Sequence, residues 1–368
     1  MSAQPFELVE LPIPETLDGP GGEDFAATVE VRNAVEEEVY GTPEFAYSAA
    51  ELLPGWRNQE HEPKRLLTAR VDGRLVARAV LQTSPQTPDT AWLQIQVARE
   101  ARRRGIGAAL HARLESWARE AGVVKLLGWG AHPEHPGERL EPPTGFGSIP
   151  AGNAEVAFLL AHGWRLEQVE RCSRLVLPAE PGILARHLAE AEAAAGPDYR
   201  VVTWIDRVAD DWVEDLALLW TRMSTDAPSA GMEEPEEVYT AERVRTEEQV
   251  ALDGGRTRLF AAAEHIPTGR LAGFTVLDVP PETHRSVGQE DTLVLREHRG
   301  HRLGMLVKLA NIAFLEREQP GHPAITTFNA EENRHMLAVN EAVGFTAIAT
   351  EGAWRKDLAE VGSLTTAP

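Results

Sequence analysis

The sequence is poor in cysteine and contains no long apolar run. Cys172 is the only cysteine among 368 residues, so no intrachain disulfide is possible and no cysteine cluster could hold zinc. We predict that Cys172 is structural because its segment is strand-like; a lone catalytic thiol is the alternative. No stretch of about 18 apolar residues occurs, and the N-terminus lacks a basic region followed by an apolar run. We therefore expect a soluble cytoplasmic protein that does not bind membranes.

Positive charge is also scarce. The chain has 36 lysines and arginines against 57 acidic residues, a formal net charge of −21. Such a charge repels a phosphate backbone at long range, so we expect no nucleic-acid partner and a preference for cationic ones. The remaining composition, 43% hydrophobic and 25% charged, is that of a globular protein. A chain of this length is long enough for about two domains, each with its own core.

One unusual run occurs twice, at residues 97–107 and 294–304. The two copies, 197 positions apart, share valine, the pair Arg-Glu, a further arginine and the final glycine. Each follows a strand-like segment and precedes an amphipathic helical pattern, so each is predicted to form a strand, a basic turn and a helix start. Unpaired N–H groups and the positive dipole favour an anion there, and glycine lets a phosphate approach the backbone. The alternative is a solvated basic face.

The two runs read Arg-x-x-Gly-x-Gly from Arg102 and Arg-x-x-Arg-x-Gly from Arg299. They resemble the signature of the GNAT superfamily of acyl-CoA-dependent N-acyltransferases, whose turn after the fourth strand holds the pyrophosphate of coenzyme A. The resemblance implies an α/β fold (an α+β mixed sheet) with two tandem GNAT domains. It also implies acetyl-CoA as co-substrate and no metal. The tandem architecture is similar to that of mycothiol synthase, in which the C-terminal domain acts.

The order of predicted elements repeats in the two halves. We predict an N-terminal GNAT-like domain over 1–180, a helical linker over 181–198 and a C-terminal GNAT-like domain over 199–368. In both halves a tight turn joins two strands before the duplicated run, with Asp72-Gly73 in the first and Thr268-Gly269 in the second. Residues 329–345 are similar to a second GNAT motif, an asparagine followed by a short helix and Gly-Phe.

The resemblance implies cofactor-binding residues at both turns. In the first half these are Val97, Arg102, Arg103, Arg104, Gly105, Ile106, Gly107 and Ala108. In the second half they are Val294, Leu295, Arg299, Gly300, His301, Arg302, Leu303, Gly304, Asn329 and Asn333. Asn333 has an equally good alternative role as the cap of a helix.

Acyl transfer to an amine needs a base, because a typical amine has a pKa near ~10 and must lose a proton before it attacks. The resemblance implies a glutamate on the fourth strand as base, and Glu290 and Asp291 stand there. It also implies a backbone N–H at a bulge of that strand as oxyanion donor, expected near Val294 or Leu295. Residues 90–96 contain no carboxylate, so we place catalysis in the C-terminal half. The alternative is that both acidic residues are merely solvated.

Two departures from the family pattern concern the second half. The tyrosine that commonly protonates the leaving thiolate falls at Asn340, so either solvent or another group, such as His335 or His301, takes that role, or this chain handles the step differently. Arg302 replaces the first glycine of the signature, which removes backbone freedom but adds a guanidinium that could reach a phosphate.

We therefore predict an N-acetyltransferase that transfers acetyl from acetyl-CoA to a primary amine of a small molecule or peptide by direct attack. A cationic amine is favoured by an acidic segment that contains Asp226, Glu233, Glu234, Glu236 and Glu237, although this could also be a solvated loop. The protein is expected to be a monomer or homodimer. The alternative function is a coenzyme A-binding, regulatory or interaction protein with one or both domains degenerate, and another acyl donor is also possible.

Overall fold

The computed structural model describes residues 5–358, so the first four and last ten residues of the predicted domains lie outside it. The chain forms two compact units. Unit 1 comprises Met1–Val169 with Glu351–Pro368, and unit 2 comprises Glu170–Thr350. The unit boundaries therefore fall within strands at Val169 and Thr350, whereas the sequence suggested a boundary near 180–198. The predicted linker helix lies within unit 2.

The first part of the chain contains these helices and strands: β1 (Glu7–Leu11), α1 (Gly22–Tyr40), α2 (Ala49–Arg57), β2 (Lys64–Val71), β3 (Arg74–Thr83), β4 (Thr90–Val97), α3 (Ile106–Glu120), β5 (Lys125–His132), β6 (Arg139–Leu140), β7 (Ile149–Pro150), α4 (Ala154–Ala161) and β8 (Arg165–Val176).

The second part continues with α5 (Pro181–Ala195), β9 (Tyr199–Ile205), α6 (Val213–Asp226), α7 (Ala241–Asp253), β10 (Thr257–His265), β11 (Arg270–Val279), β12 (Val287–Val294), α8 (Leu303–Glu318), β13 (Ala324–Ala330), α9 (Arg334–Val343) and β14 (Thr346–Asp357).

Each unit contains a mixed sheet in which one neighbouring pair is parallel. In unit 1 the order is β1-β2-β3-β4-β5-β14, and the pair β4–β5 is parallel. In unit 2 the order is β9-β10-β11-β12-β13-β8, and the pair β12–β13 is parallel. The mixed-sheet α/β class predicted from the sequence is confirmed.

Local sequence explains where several elements begin and end. The tight turn predicted at Asp72 and Gly73 joins β2 to β3, and both residues have positive φ, 50° and 80°. Helix α1 ends at Gly41, whose left-handed conformation (φ 70°) lets its N–H bond the Glu37 carbonyl at 2.8 Å. Glycine suits these positions because it has no Cβ to clash.

Helices cover both faces of each sheet. In unit 1, α3 buries Leu110 and Leu114 against one face, while α1 and α2 bury Phe25 and Trp56 against the other. In unit 2, α8 packs on one face, and α6 and α7 bury an apolar cluster that includes Phe274 on the other. Burial of apolar surface on both faces stabilises each sheet and leaves the strand ends to form a site. Cys172 is fully buried in β8.

Candidate functional site

The two parallel strands of each sheet separate towards their carboxyl ends. In unit 1, β4 pairs with β5 only from Thr90 to Trp92, although β4 continues to Val97. In unit 2, β12 pairs with β13 only at Val287 and Gly288, although β12 continues to Val294. The rest of each strand therefore has backbone groups that the parallel neighbour does not satisfy. Each unit has a gap in its sheet beside the duplicated turn.

Both duplicated runs lie at the predicted strand-to-helix junction and follow the same backbone path. Left-handed conformations occur at Arg103 (φ 64°) and Gly105 (φ 84°) in the first turn. They occur at Gly300 (φ 89°) and Arg302 (φ 53°) in the second. Arg103 corresponds to Gly300, and Gly105 corresponds to Arg302. Glycine thus occupies the second left-handed position in the first turn and the first left-handed position in the second turn. Arg302 keeps the path of the turn even though that conformation costs a non-glycine residue about 1 kcal/mol.

The first arginine of each motif is held by an acid of its own unit. In unit 1, Arg102 donates from Nε to the Val97 carbonyl at 2.9 Å and from both Nη atoms to the Glu38 carboxylate at 3.0 and 2.8 Å. In unit 2, Arg299 donates from Nε to the Val294 carbonyl at 3.1 Å and from Nη2 to Asp226 at 2.7 Å. These arginines tie the turn to α1 in unit 1 and to α6 in unit 2.

Asp226 also receives a hydrogen bond of 2.8 Å from Arg296 and is only 5% exposed at its side chain. It is therefore a structural anion at the end of α6 and not part of an acceptor loop, contrary to the sequence-based expectation. The rest of the acidic segment is partly neutralised, since Glu237 pairs with Arg243 at 2.9 Å.

Replacing Asp226 by asparagine should lower the Tm of the full chain by roughly 3–6 °C, because two guanidinium groups lose a shared charged acceptor. Both arginines are about half exposed or more, so we expect less than for a fully buried pair. Scanning calorimetry measures the shift. The matched control is Glu38→Gln in unit 1, where the acid is more exposed (31%) and a smaller shift is expected. A wild-type Tm for Asp226→Asn would contradict this role.

A β-bulge interrupts β12 of unit 2. Thr275 faces Thr292 and Leu277 faces Gln289, so Val276 alone lies opposite both Glu290 and Asp291. The displaced backbone is bonded by side chains: Gln289 Nε2 donates to the Val276 carbonyl at 2.9 Å, and Thr275 Oγ1 donates to the Asp291 carbonyl at 3.1 Å. Strand β4 of unit 1 pairs with β3 from residue 91 to 97 without a bulge. The bulge lies earlier in the strand than the sequence suggested.

The bulge surrounds the side chains of Glu290 and Asp291 with other protein atoms. Glu290 is still accessible to solvent, but desolvation, followed by the nearby charges of Asp278 and Asp291, raises its pKa to about 7. Desolvation also raises the pKa of Asp291 to about 6, against the opposing charge of Arg258. A carboxyl group with a pKa near neutrality can accept and return a proton at physiological pH.

Main-chain groups at the end of β12 face the gap. Leu295 donates its N–H to the Ala272 carbonyl of β11 at 2.9 Å, so this N–H, one of the two expected oxyanion donors, is already used. Because backbone groups alternate sides along an antiparallel pair, those of Val294 point away from β11 and towards β13. The Val294 carbonyl accepts from Arg299, so its N–H is the donor directed at the gap.

Comparison with known proteins identifies this arrangement. Residues 28–138 match the model of the acetyltransferase (GNAT) family. A solved tandem GNAT protein from the clavulanic acid biosynthesis pathway, without AcCoA, is 25% identical, with a TM-score of 0.73, and the match covers 96% of this chain and 98% of that one. Residues 28–138 thus form a domain of the acetyltransferase (GNAT) family, and the whole chain is similar in fold to a tandem GNAT protein. The predicted recognition and enzyme class are thus confirmed, and acyl-CoA-dependent acetyl transfer is the general reaction of this family.

A second solved structure supports the fold of the tandem GNAT chain. The GCN5-related N-acetyltransferase from Sphaerobacter thermophilus is 15% identical with a TM-score of 0.59, and the match covers 96% of this chain and 95% of that one. No curated protein sequence matches this chain.

The second GNAT motif holds a buried polar network. Asn333 caps α9, its side chain accepting from the Met336 N–H at 3.3 Å, which is the alternative role given above. Asn340, at the position of the family tyrosine, is buried and donates to Asn329 Oδ1 at 2.6 Å. It also accepts from Lys308 Nζ at 2.7 Å. The sequence analysis missed Lys308, which is only 1% exposed, although its position in an apolar stretch of α8 was a signal.

Burial lowers the pKa of Lys308 to about 7, well below its ordinary value of 10.5. Between about pH 7 and 10.5 the unfolded chain binds this proton and the native chain does not. The free energy of unfolding therefore rises with pH across this window and reaches its lower limit as pH falls through 7. Lys308→Met should remove this rise. The Tm of the wild type should therefore increase relative to that of the variant between pH 7 and 10. Calorimetry across that range measures it. Lys64→Met, which removes a lysine of β2, is the matched control.

The two histidines considered as proton donors lie at the surface. His301 and His335 are exposed, so neither is buried beside Asn340. Within residues 5–358 no group of three or more His, Cys, Asp or Glu side chains is arranged to hold a metal ion. In the same range, no helix has both the length and the apolar character required to cross a membrane.

Proposed function

We infer that unit 2 transfers the acetyl group of acetyl-CoA to a primary amine of a small molecule or peptide. The observation that carries this assignment is the bulge at Glu290 and Asp291, which brings a carboxyl group with a near-neutral pKa to the strand that borders the gap. The corresponding strand of unit 1 has neither a bulge nor a carboxylate.

The donor is assigned to the turn and gap of unit 2. The first N–H groups of α8 have no acceptor within the helix, and together with the helix dipole they favour the pyrophosphate. Gly304 leaves room for this approach, since a Cβ there would meet only Val294 Cγ2 at 3.8 Å. The pantetheine arm then follows the free edge of β12. The guanidinium of Arg299 is bonded to the Val294 carbonyl and Asp226, and Arg302 pairs with Glu190 at 3.2 Å, so main-chain amides carry the phosphate contact.

The reaction is assigned to direct attack. Glu290 takes a proton from the ammonium, directly or through one water, and the neutral amine nitrogen attacks the thioester carbonyl carbon. The Val294 N–H, directed at the gap, stabilises the oxyanion. As the tetrahedral intermediate collapses, the C–N bond is kept, the attacking nitrogen loses its surplus proton to solvent, the C–S bond breaks and coenzyme A leaves as a thiolate. Solvent protonates the thiolate, because Asn340 cannot act as an acid and a thiol pKa near ~8.5 permits departure unaided.

A cationic acceptor is favoured by the charges around the base. Asp278 and Asp291 lie close enough to Glu290 to raise its pKa, and Arg256 and Arg258 offset only part of this effect. The whole chain carries a net charge of −21. These charges attract an ammonium group before it is deprotonated.

The test is thiol release from acetyl-CoA by the full-length protein in the presence of a panel of primary amines, with mass spectrometry of the products. We expect amide formation on at least one cationic amine and release of one coenzyme A per amide. If acetyl-CoA binds but no amine of the panel is acetylated, the coenzyme A-binding alternative replaces this proposal.

A further inference from the structure

Unit 1 contains a buried polar pair that its duplicate lacks. Arg78 on β3 and Gln96 on β4 are direct cross-strand neighbours and are 4% and 5% exposed. The same register position in unit 2 is occupied by Phe274 and Leu293, which are 0% and 6% exposed. Since the fold packs well with an apolar pair at this point, the polar pair in unit 1 is not required by the architecture.

Arg78 is a buried cation, and no carboxylate of residues 5–358 forms an ion pair with it, although the charges of Arg32 and Glu36 are near enough to act on its pKa in opposite directions. Its guanidinium lies over the Trp56 ring at 5.4 Å, and its Nε is buried without a hydrogen-bond acceptor among the described residues. Burial lowers its pKa only to about 10, so it stays charged at neutral pH. A buried charge that lacks a hydrogen-bonded counter-ion is costly, and it persists most readily where a ligand supplies the missing anion.

Gln96 has a buried acceptor that lacks a hydrogen-bond donor. Its Nε2 donates to Glu36 Oε1 at 2.9 Å, which orients the amide, while its Oε1 is buried without a donor among the described residues. One neighbour therefore lacks an acceptor and the other lacks a donor. A ligand that carries both an anionic acceptor and a cationic donor would satisfy both atoms, which a simple carboxylate or a simple amine would not.

Acidic groups surround this pair on one side. Glu36 of α1 lies beside Gln96, and Glu351 of β14 bonds the Tyr40 hydroxyl. Burial raises the pKa of Glu351 to about 7 against the hydrogen bond from Tyr40, and the charge of Glu36 adds to the rise. Glu36, Tyr40 and Glu351 are only partly buried, so the acidic side of the pair is the side nearest to solvent.

We propose that unit 1 contains a binding site for a small zwitterion of the amino-acid class, distinct from the transferase site of unit 2. The planar fork of Arg78 binds the ligand carboxylate. Gln96 Oε1 and the Glu36 carboxylate accept from the ligand ammonium. The indole of Trp56 covers the guanidinium and restricts the ligand to the side facing α1.

Isothermal titration of the full-length protein with each of the twenty common L-α-amino acids tests the proposal. We expect at least one to bind with one site per chain, and the primary amide of that amino acid to bind at least tenfold more weakly. Arg78→Met should weaken binding at least tenfold. Arg78→Lys, which keeps the charge without the fork, should give an intermediate loss and serves if the methionine variant does not fold.

Two controls separate this site from other effects. Arg113→Met removes an arginine that also lies over a tryptophan, Trp117 at 5.3 Å, but is exposed on α3, and it should leave binding unchanged. Glu290→Gln should bind the amino acid as wild type does, because the base belongs to unit 2. Absence of any binder, equal affinity for acid and amide, or unchanged affinity in both Arg78 variants would overturn the proposal and leave a bridging water as the partner of Arg78 and Gln96.

Discussion

Glu290→Gln should lower kcat for acetyl transfer by roughly 10²–10⁴-fold, because glutamine cannot accept the proton of the attacking ammonium. The KM for acetyl-CoA should change little, since Glu290 lies on the strand before the turn and not at the start of α8. Steady-state thiol release at saturating amine measures kcat. The matched control, Glu297→Gln, removes an exposed carboxylate after β12 and should retain wild-type activity.

The pH profile provides an independent reading of the same residue. With a pKa of about 7, Glu290 is ionised above that pH, so kcat/KM of the wild type should fall as pH drops through 7. In Glu290→Gln, the reduced kcat/KM should not fall further as pH drops through 7. An unchanged profile in the variant would assign the base to another group, with Asp291 as the first candidate.

Gly304→Asp should raise the KM for acetyl-CoA by at least about 100-fold, because a carboxylate at the first turn of α8 repels the pyrophosphate and fills the approach that glycine leaves open. The helix itself should tolerate the change, since an acidic residue in the first turn is favourable to the dipole and the space around Gly304 is sufficient.

Gly107→Asp is the matched variant in unit 1, where a Cβ would meet Phe158 at 3.5 Å, an ordinary contact. If acetyl transfer uses the unit 2 turn, this variant leaves the KM of the reaction unchanged, while equilibrium titration of coenzyme A reports whether unit 1 also binds it. A raised KM for Gly107→Asp with a normal KM for Gly304→Asp would transfer the donor site to unit 1.

Local features of the fold were predictable from the sequence. The strand, turn and helix start at each duplicated run depend on neighbours in the chain, and so does the Asp72-Gly73 turn, so periodicity and glycine positions sufficed. The position of the bulge was not predictable, because it depends on Thr275 and Gln289 bonding displaced backbone from two strands.

Contacts between distant segments also escaped the sequence analysis. Arg102 and Arg299 read as phosphate ligands, but Glu38 and Asp226, more than 60 positions earlier in the chain, accept their hydrogen bonds. Arg78 lies in the apolar stretch Val76-Ala77-Arg78-Ala79-Val80, where a charge at an inward position was visible in the sequence. Its significance required the pairing with Gln96, which only the register of β3 and β4 provides.

The exchange of glycine between the two left-handed positions of the turn has a consequence for recognising such duplicates. The family signature has glycine at a fixed position of the turn. The second copy has Arg302 at that position and Gly300 two residues earlier, although its backbone follows the same path. The family match at residues 28–138 includes the first copy and not the second. A second copy of such a turn is therefore recognised better by the spacing of its left-handed residues than by the residue types of the motif.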